Sequence, residues 1–251
     1  MIWIRSLLFQ FYFYVSVVVA AAAVVVCAAL PYRFRFALAR CWGVSMLWAG
    51  RELCGLEYVL EGRENIPASA CVFMIKHTTV FEIYAQLALL PAQSWVLKRE
   101  LLWIPLFGWG LASMKPIAIN RQAGRSAITQ VREQGKARLA DGVCLSIFPE
   151  GTRVRLGETK RYGVGGAAVA LDAGVLLVPI AHNAGDFWPR RGFLKRPGLI
   201  RFCVGPPIDP AGRTPRATSL LVQAWIESKM AEISCGYQQV AASKQEHEPA
   251  R

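Results

Sequence analysis

Ala70-Cys71-Val72-Phe73-Met74-Ile75-Lys76-His77-Thr78-Thr79-Val80-Phe81-Glu82 runs from an apolar stretch into a polar island, and a second apolar stretch then reaches residue 90. A short apolar run bounded by polar residues predicts a buried strand over 70–75, and residues 79–90, closed by Pro91, read as a helix. Polar residues between a strand and its helix stand at the strand's C-terminal end, where a parallel α/β sheet presents its site. The pattern recurs in a strand-like run over 143–148 that leads into Phe148-Pro149-Glu150-Gly151-Thr152-Arg153.

Working outward, short strands are expected over 94–97, 116–119, 175–181 and 199–204, and helices over 124–140, 165–173 and 215–233. The helix over 124–140 sets Ala127, Ile128, Val131 and Leu139 near one face, with Arg125, Arg132, Glu133 and Lys136 elsewhere. Residues 101–110, rich in Trp, Pro and Gly, read as a loop. Strands alternating with helices imply an α/β fold with a largely parallel or mixed sheet flanked by helices. The expected organisation is an N-terminal membrane-anchoring region (1–58), one α/β domain (59–235) and a disordered tail (236–251).

Residues 6–30 are 25 positions without a charge. At about 1.5 Å per residue a helix of that length crosses a hydrocarbon layer of roughly 30 Å. A cleaved signal peptide is the rival reading, since Cys27-Ala28-Ala29 would suit a cleavage site, but the run exceeds the usual core of about 7–15 residues. The segment either spans the bilayer or lies in its interface. Arg5 precedes it and Arg33, Arg35, Arg40 and Arg51 follow, which favours a cytoplasmic domain on the inner membrane. Residues 36–56, apolar but broken by arginines and glycines, suit a helix at headgroup level.

The net charge of +12 calls for an anionic partner. No helix-turn-helix, zinc-finger or RNA-binding signature is visible, so a bilayer rich in anionic lipid explains charge and anchor together, and nucleic acid is excluded. The seven cysteines are scattered, and Cys71, Cys144 and Cys203 sit inside apolar runs as small buried thiols. With three histidines and no zinc-ligand spacing, neither metal nor cofactor is expected.

His77 and Glu82 would stand about 140° apart on one regular helix, so they can meet only across a turn. Met in that way, the carboxylate would bond Nδ1 and leave Nε2 free to accept a proton. The alternative is a capping box, Thr79-x-x-Glu82, in which Glu82 serves only a backbone N–H. In the second island Pro149 ends the strand, Gly151 allows a tight turn, and Arg153 offers a planar fork for a phosphate. A surface ion pair between Glu150 and Arg153 is its plain alternative. His182, just past a strand, reads as a hydrogen-bonded structural histidine, and Gly163-Val164-Gly165-Gly166 as a helix-entry turn.

In order, His77-x4-Glu82, Ile117-Ala118-Ile119-Asn120-Arg121, Phe148-Pro149-Glu150-Gly151-Thr152-Arg153 and Val178-Pro179-Ile180-Ala181 resemble the four motifs of the glycerolipid acyltransferases, most closely the bacterial 1-acyl-sn-glycerol-3-phosphate acyltransferases. Further similarity lies in Val96-Leu97-Lys98-Arg99-Glu100-Leu101, residues 105–110 and His182-Asn183-Ala184-Gly185, so the resemblance covers about residues 60–208. It implies that His77 is the general base and Glu82 its orienting acid. It also implies that Lys98, Arg121 and Arg153 hold the glycerol phosphate, and that Glu150, Gly151 and Thr152 shape that pocket. Three positions depart from the pattern: Glu82 stands where Asp is commoner, Asn120 where Asp is usual, and Gly163-Val164 where a Lys often follows Tyr162.

The implied reaction moves an acyl group from acyl carrier protein or coenzyme A to the sn-2 hydroxyl of lysophosphatidate, giving phosphatidic acid. No cysteine lies in either island and no G-x-S-x-G elbow exists, so a covalent acyl-enzyme has no support. Two rival functions remain open: acylation of another lysolipid such as lyso-ornithine lipid, and a non-catalytic module that binds anionic lipid.

Overall fold

The computed structural model describes residues 1–120 and 123–246. Two antiparallel helices, α1 (Ile2–Val26) and α2 (Tyr32–Cys54), precede strands β1 (Leu56–Glu61), β2 (Val72–Ile75), β3 (Gln93–Lys98), β4 (Ile117–Ile119), β5 (Cys144–Ile147), β6 (Leu177–His182) and β7 (Gly198–Val204). Between and after the strands come α3 (Phe81–Leu89), α4 (Phe107–Ser113), α5 (Arg125–Ala140), α6 (Gly165–Ala173), α7 (Ala184–Phe187), α8 (Pro215–Ile233) and α9 (Cys235–Glu246). The described strands make one mixed sheet, in the order β1-β7-β6-β2-β5-β3-β4.

From β6 to β4 every neighbouring pair is parallel, and the β1–β7 ribbon joins β6 antiparallel through β7. Five strands therefore end at one edge. That edge gathers His77 after β2, residues 148–153 after β5, Lys98 at the end of β3 and His182 at the end of β6.

Strand β2 lies at the sheet's centre, and its four residues are fully buried. Phe73 and Ile75 pack with Tyr84 and Ala85 of α3 and with Met46 of α2; Val72 and Met74 pack with α6 and α8 through Ala167, Val169, Val222 and Ile226. Covered on both faces, the strand is apolar at every position. Each such side chain contributes roughly 1.5–3 kcal/mol by burial.

Helix α2 packs on α3 closely enough that a Cβ at Gly43 would stand 2.8 Å from the Tyr84 carbonyl oxygen. Because that oxygen belongs to backbone, Gly43→Ala must push the helices apart. The expected cost is about 1–3 kcal/mol, read as a lowered thermal midpoint in detergent.

Helix α1 touches the α/β body at both ends. Near its start Phe9 meets Trp188 edge-on at 5.5 Å, and Ser6 Oγ accepts from Lys195 N at 3.0 Å. Near its end Val24 packs with Met114 and Leu87, and a Cβ at Gly110 would stand 3.3 Å from Ala21. The remaining face is bare: Trp3, Ile4, Leu7, Leu8, Phe11, Tyr14, Val15, Val18 and Val19 are exposed. Exposed Trp48, Trp103 and Trp109 add to the molecule's apolar surface.

Three expectations need correction. Residues 101–110 are not a loop: a 3-10 turn (Arg99–Trp103) leads into α4. Pro105, Gly108 and Gly110 hide that helix, and Gly108 is there for space, since a Cβ would lie 2.3 Å from the Leu102 carbonyl oxygen. The boundary at 58 falls inside β1, an edge strand whose middle residues are exposed and show no alternation. The tail from 236 is helical through Glu246, with Tyr237 Oη donating to the Glu158 carbonyl at 2.9 Å and to Glu227 Oε2 at 3.2 Å.

Candidate active site

Strand β2 delivers His77 to a bend, and α3 begins only at Phe81, so Glu82 reaches back from the first helical turn. His77 Nδ1 donates to Glu82 Oε1 at 2.7 Å. The same carboxylate accepts from Thr78 N at 3.0 Å and from Thr79 N at 2.9 Å, while Thr79 Oγ1 accepts from Phe81 N at 2.6 Å. Glu82 thus satisfies orphan amides at the helix start and orients the imidazole at once; the two readings of its spacing coexist. The longer side chain fits because the helix starts two residues later than the sequence predicts.

Burial alone would raise the Glu82 carboxyl. The neighbouring imidazoles and amide donors outweigh it and hold the group below its ordinary value, so it is a carboxylate at neutral pH. His182 lies on its far side, with Nε2 at 3.6 Å from Glu82 Oε2 and donating to the Lys76 carbonyl at 2.9 Å. Burial depresses its pKa, with Glu82 opposing, and its Nε2 is committed to the Lys76 carbonyl, so its role is structural.

The second island closes over the first. Phe148 stacks on the His77 ring at 3.9 Å and 14°, and Val154 N donates to the His77 carbonyl at 2.8 Å. Gly151 turns the chain with φ of +68°, a conformation a side chain disfavours. Stacking and hydrogen bonds fix one ring face and Nδ1. Nε2 makes no hydrogen bond among the described residues.

His77, Arg153 and Lys98 line one cavity of about 350 Å³ whose other walls, Gln86 aside, are apolar, including Val17 and Ala21 of α1, Trp42 of α2 and Met114. A proton acceptor, two cations and an apolar channel therefore share one space. Lys98 is half exposed and pairs with Glu100 at 3.5 Å. Of the aromatic group at 95–109, Trp95 and Phe107 also line this cavity, and Trp103 and Trp109 face outward.

Glu150, Gly151 and Thr152 do not line that cavity. Glu150 is turned into the core, 3.1 Å from Lys76 Nζ, because a fully buried lysine one residue before His77 requires a counter-charge. Lys76 also donates to Glu227 Oε1 of α8 at 2.7 Å, and that oxygen accepts from Tyr162 Oη at 2.9 Å. Burial pushes the Glu150 carboxyl up to about 7, with Lys76 opposing. Neither Lys76 nor Glu227 is singled out by the sequence reading; the available signal was a lysine ending a four-residue apolar strand. Arg121 lies outside the described residues.

The Acyltransferase family profile matches residues 57–183, a span holding both islands. The chain is 42% identical over 84% of its length to the 1-acyl-sn-glycerol-3-phosphate acyltransferase of Pseudomonas aeruginosa, and covers 84% of that protein. It is 28% identical over 68% of its length to human 1-acyl-sn-glycerol-3-phosphate acyltransferase alpha, of which it spans 61%. In fold it resembles the crystal structure of the 1-acyl-sn-glycerophosphate acyltransferase of Thermotoga maritima, with a TM-score of 0.76, 21% identity, and coverage of 91% of this chain and 94% of that one.

Proposed function

The chain belongs to the acyltransferase family, and from that premise we propose that it acylates the sn-2 hydroxyl of 1-acyl-glycerol-3-phosphate from an acyl thioester, giving phosphatidic acid. The observation that carries this is the His77–Glu82 pair at 2.7 Å, opening on a cavity shared with Arg153 and Lys98. His77 Nε2 takes the proton of the acceptor hydroxyl as its oxygen attacks the thioester carbonyl. The imidazolium, stabilised by the Glu82 carboxylate, then returns that proton to the departing thiolate. Atoms and charge balance without a covalent enzyme intermediate.

Arg153 and Lys98 hold the acceptor's phosphate; a guanidinium and an ammonium group lining one cavity suit a dianion. The apolar walls take an acyl chain, each buried methylene adding about 0.8 kcal/mol. A lysolipid without phosphate would leave Arg153 without an anion, which favours lysophosphatidate over lyso-ornithine lipid. Either acyl carrier protein or coenzyme A supplies the thioester.

Helix α1 lies in one leaflet rather than across the bilayer. A spanning helix leaves the body that carries it, whereas α1 keeps contact at both ends while its outer face is bare. The domain then rests on the cytoplasmic face of the inner membrane, with its apolar cavity open to lipid.

The test is a purified enzyme assay with lysophosphatidate and both donors, wild type beside Arg153→Ala. The variant is expected to raise the KM for lysophosphatidate about tenfold or more, the loss of one charge-assisted phosphate contact, with the donor KM unmoved. Wild type that forms no phosphatidic acid would refute the reading.

A further inference from the structure

A second cavity, of about 430 Å³, a volume in the range that binds small ligands, has Thr78, the residue after His77, in its lining. Its lining includes Thr78, Arg155, Gly185, Arg190 and Arg191, and the chemistry above uses none of them. Among the described residues no carboxylate pairs with any of the three arginines. Thr78 is 2% exposed, and its Oγ1 is buried without a hydrogen-bond partner. Arg190 is partly buried and Arg155 and Arg191 are exposed, and three guanidinium groups without a carboxylate partner at one cavity suit an anion, phosphate above all.

This cavity is coupled to the reacting centre by the backbone. Val154 N holds the His77 carbonyl at 2.8 Å, so the segment that brings Arg153 to the apolar cavity brings Arg155 to the basic one. His77 and Thr78 divide in the same way. If the proposed acyl transfer is correct, two phosphate-bearing molecules must meet at His77. One is the acceptor, whose phosphate has Arg153 and Lys98. The other is the donor, because coenzyme A and acyl carrier protein both present their thioester at the end of a phosphopantetheine arm.

We propose that the cavity lined by Arg155, Arg190 and Arg191 binds the phosphate of the donor's phosphopantetheine arm. That contact holds the thioester beside His77 while the acyl chain enters the apolar cavity. The inference rests on the acyltransferase reading and adds where the donor sits.

The test compares full-length wild type with Arg155→Gln/Arg190→Gln/Arg191→Gln, using lysophosphatidate with acyl coenzyme A, acyl carrier protein thioester and phosphate-free acyl pantetheine. The KM for both phosphate-bearing donors should rise about tenfold or more, the preference for them over acyl pantetheine should collapse, and the KM for lysophosphatidate should hold. Donor KM values that stay put overturn the proposal. So does a rise confined to lysophosphatidate, to acyl coenzyme A (its nucleotide phosphates) or to the carrier protein (its acidic surface). Should the triple variant not fold, Arg190→Gln/Arg191→Gln, on a surface loop, is read for the same pattern. Wild type inactive with every donor removes the acyltransferase reading and this inference with it, whereas an active wild type matched by its variant removes this inference alone.

Discussion

Replacing His77 by Ala is expected to lower kcat about 10²–10⁴-fold, the range a positioned general base contributes. The site offers no substitute. His182 is buried behind Glu82 with its Nε2 committed to the Lys76 carbonyl, and Glu82 already receives three donors. The loss should fall on kcat, because Arg153, Lys98 and the apolar walls still bind both substrates. Alanine also removes the ring stacked on Phe148, so His77→Gln serves as a bulkier control that keeps contact without supplying the base. Turnover by both variants at the wild-type rate would exclude a base at this position. Glu82→Gln separates orientation from packing, since an amide cannot stabilise the imidazolium as the carboxylate does.

Much of this site was legible before any coordinates, and for definite reasons. His77 and Glu82 follow a short apolar run, so strand, bend and helix could be read from local pattern, and their partnership follows from the bend. Helices α6 and α8 were likewise marked by their apolar content and by Gly165 and Pro215 at their starts. What stayed hidden was long-range. Nothing local shows that the ring of His77 would stack on Phe148, or that Glu150 would turn from the acceptor pocket toward Lys76. Strand β1 was lost because an edge strand with exposed residues carries no alternation, and α4 because its glycines answer to close backbone approach rather than to helix propensity.

Lys76→Met should destabilise the protein by about 3–5 kcal/mol at pH 8, the cost of leaving a buried charge without its partner. Lys76 is fully buried, and its ammonium stands 3.1 Å from Glu150 and 2.7 Å from Glu227. Methionine fills similar space, so the loss reports charge rather than a cavity. The pH sets how much of it appears. Burial holds the Glu150 carboxyl up at about 7 in the folded protein, against an ordinary value near 4.5. The fold therefore binds that proton more tightly than the unfolded chain does, and stability from this group is present below the ordinary value and lost as pH rises through about 7. Without Lys76 the folded carboxyl moves higher still, so the penalty should be smaller at pH 6 than at pH 8. Adding Glu150→Gln and Glu227→Gln to Lys76→Met should recover most of it, because no buried carboxylate then lacks a cation. Denaturant unfolding in detergent at both pH values measures this. A Lys76→Met protein within about 1 kcal/mol of wild type at pH 8 would mean that the Glu150 carboxyl is already neutral in the fold, and that the network joining β2 to α8 contributes packing alone.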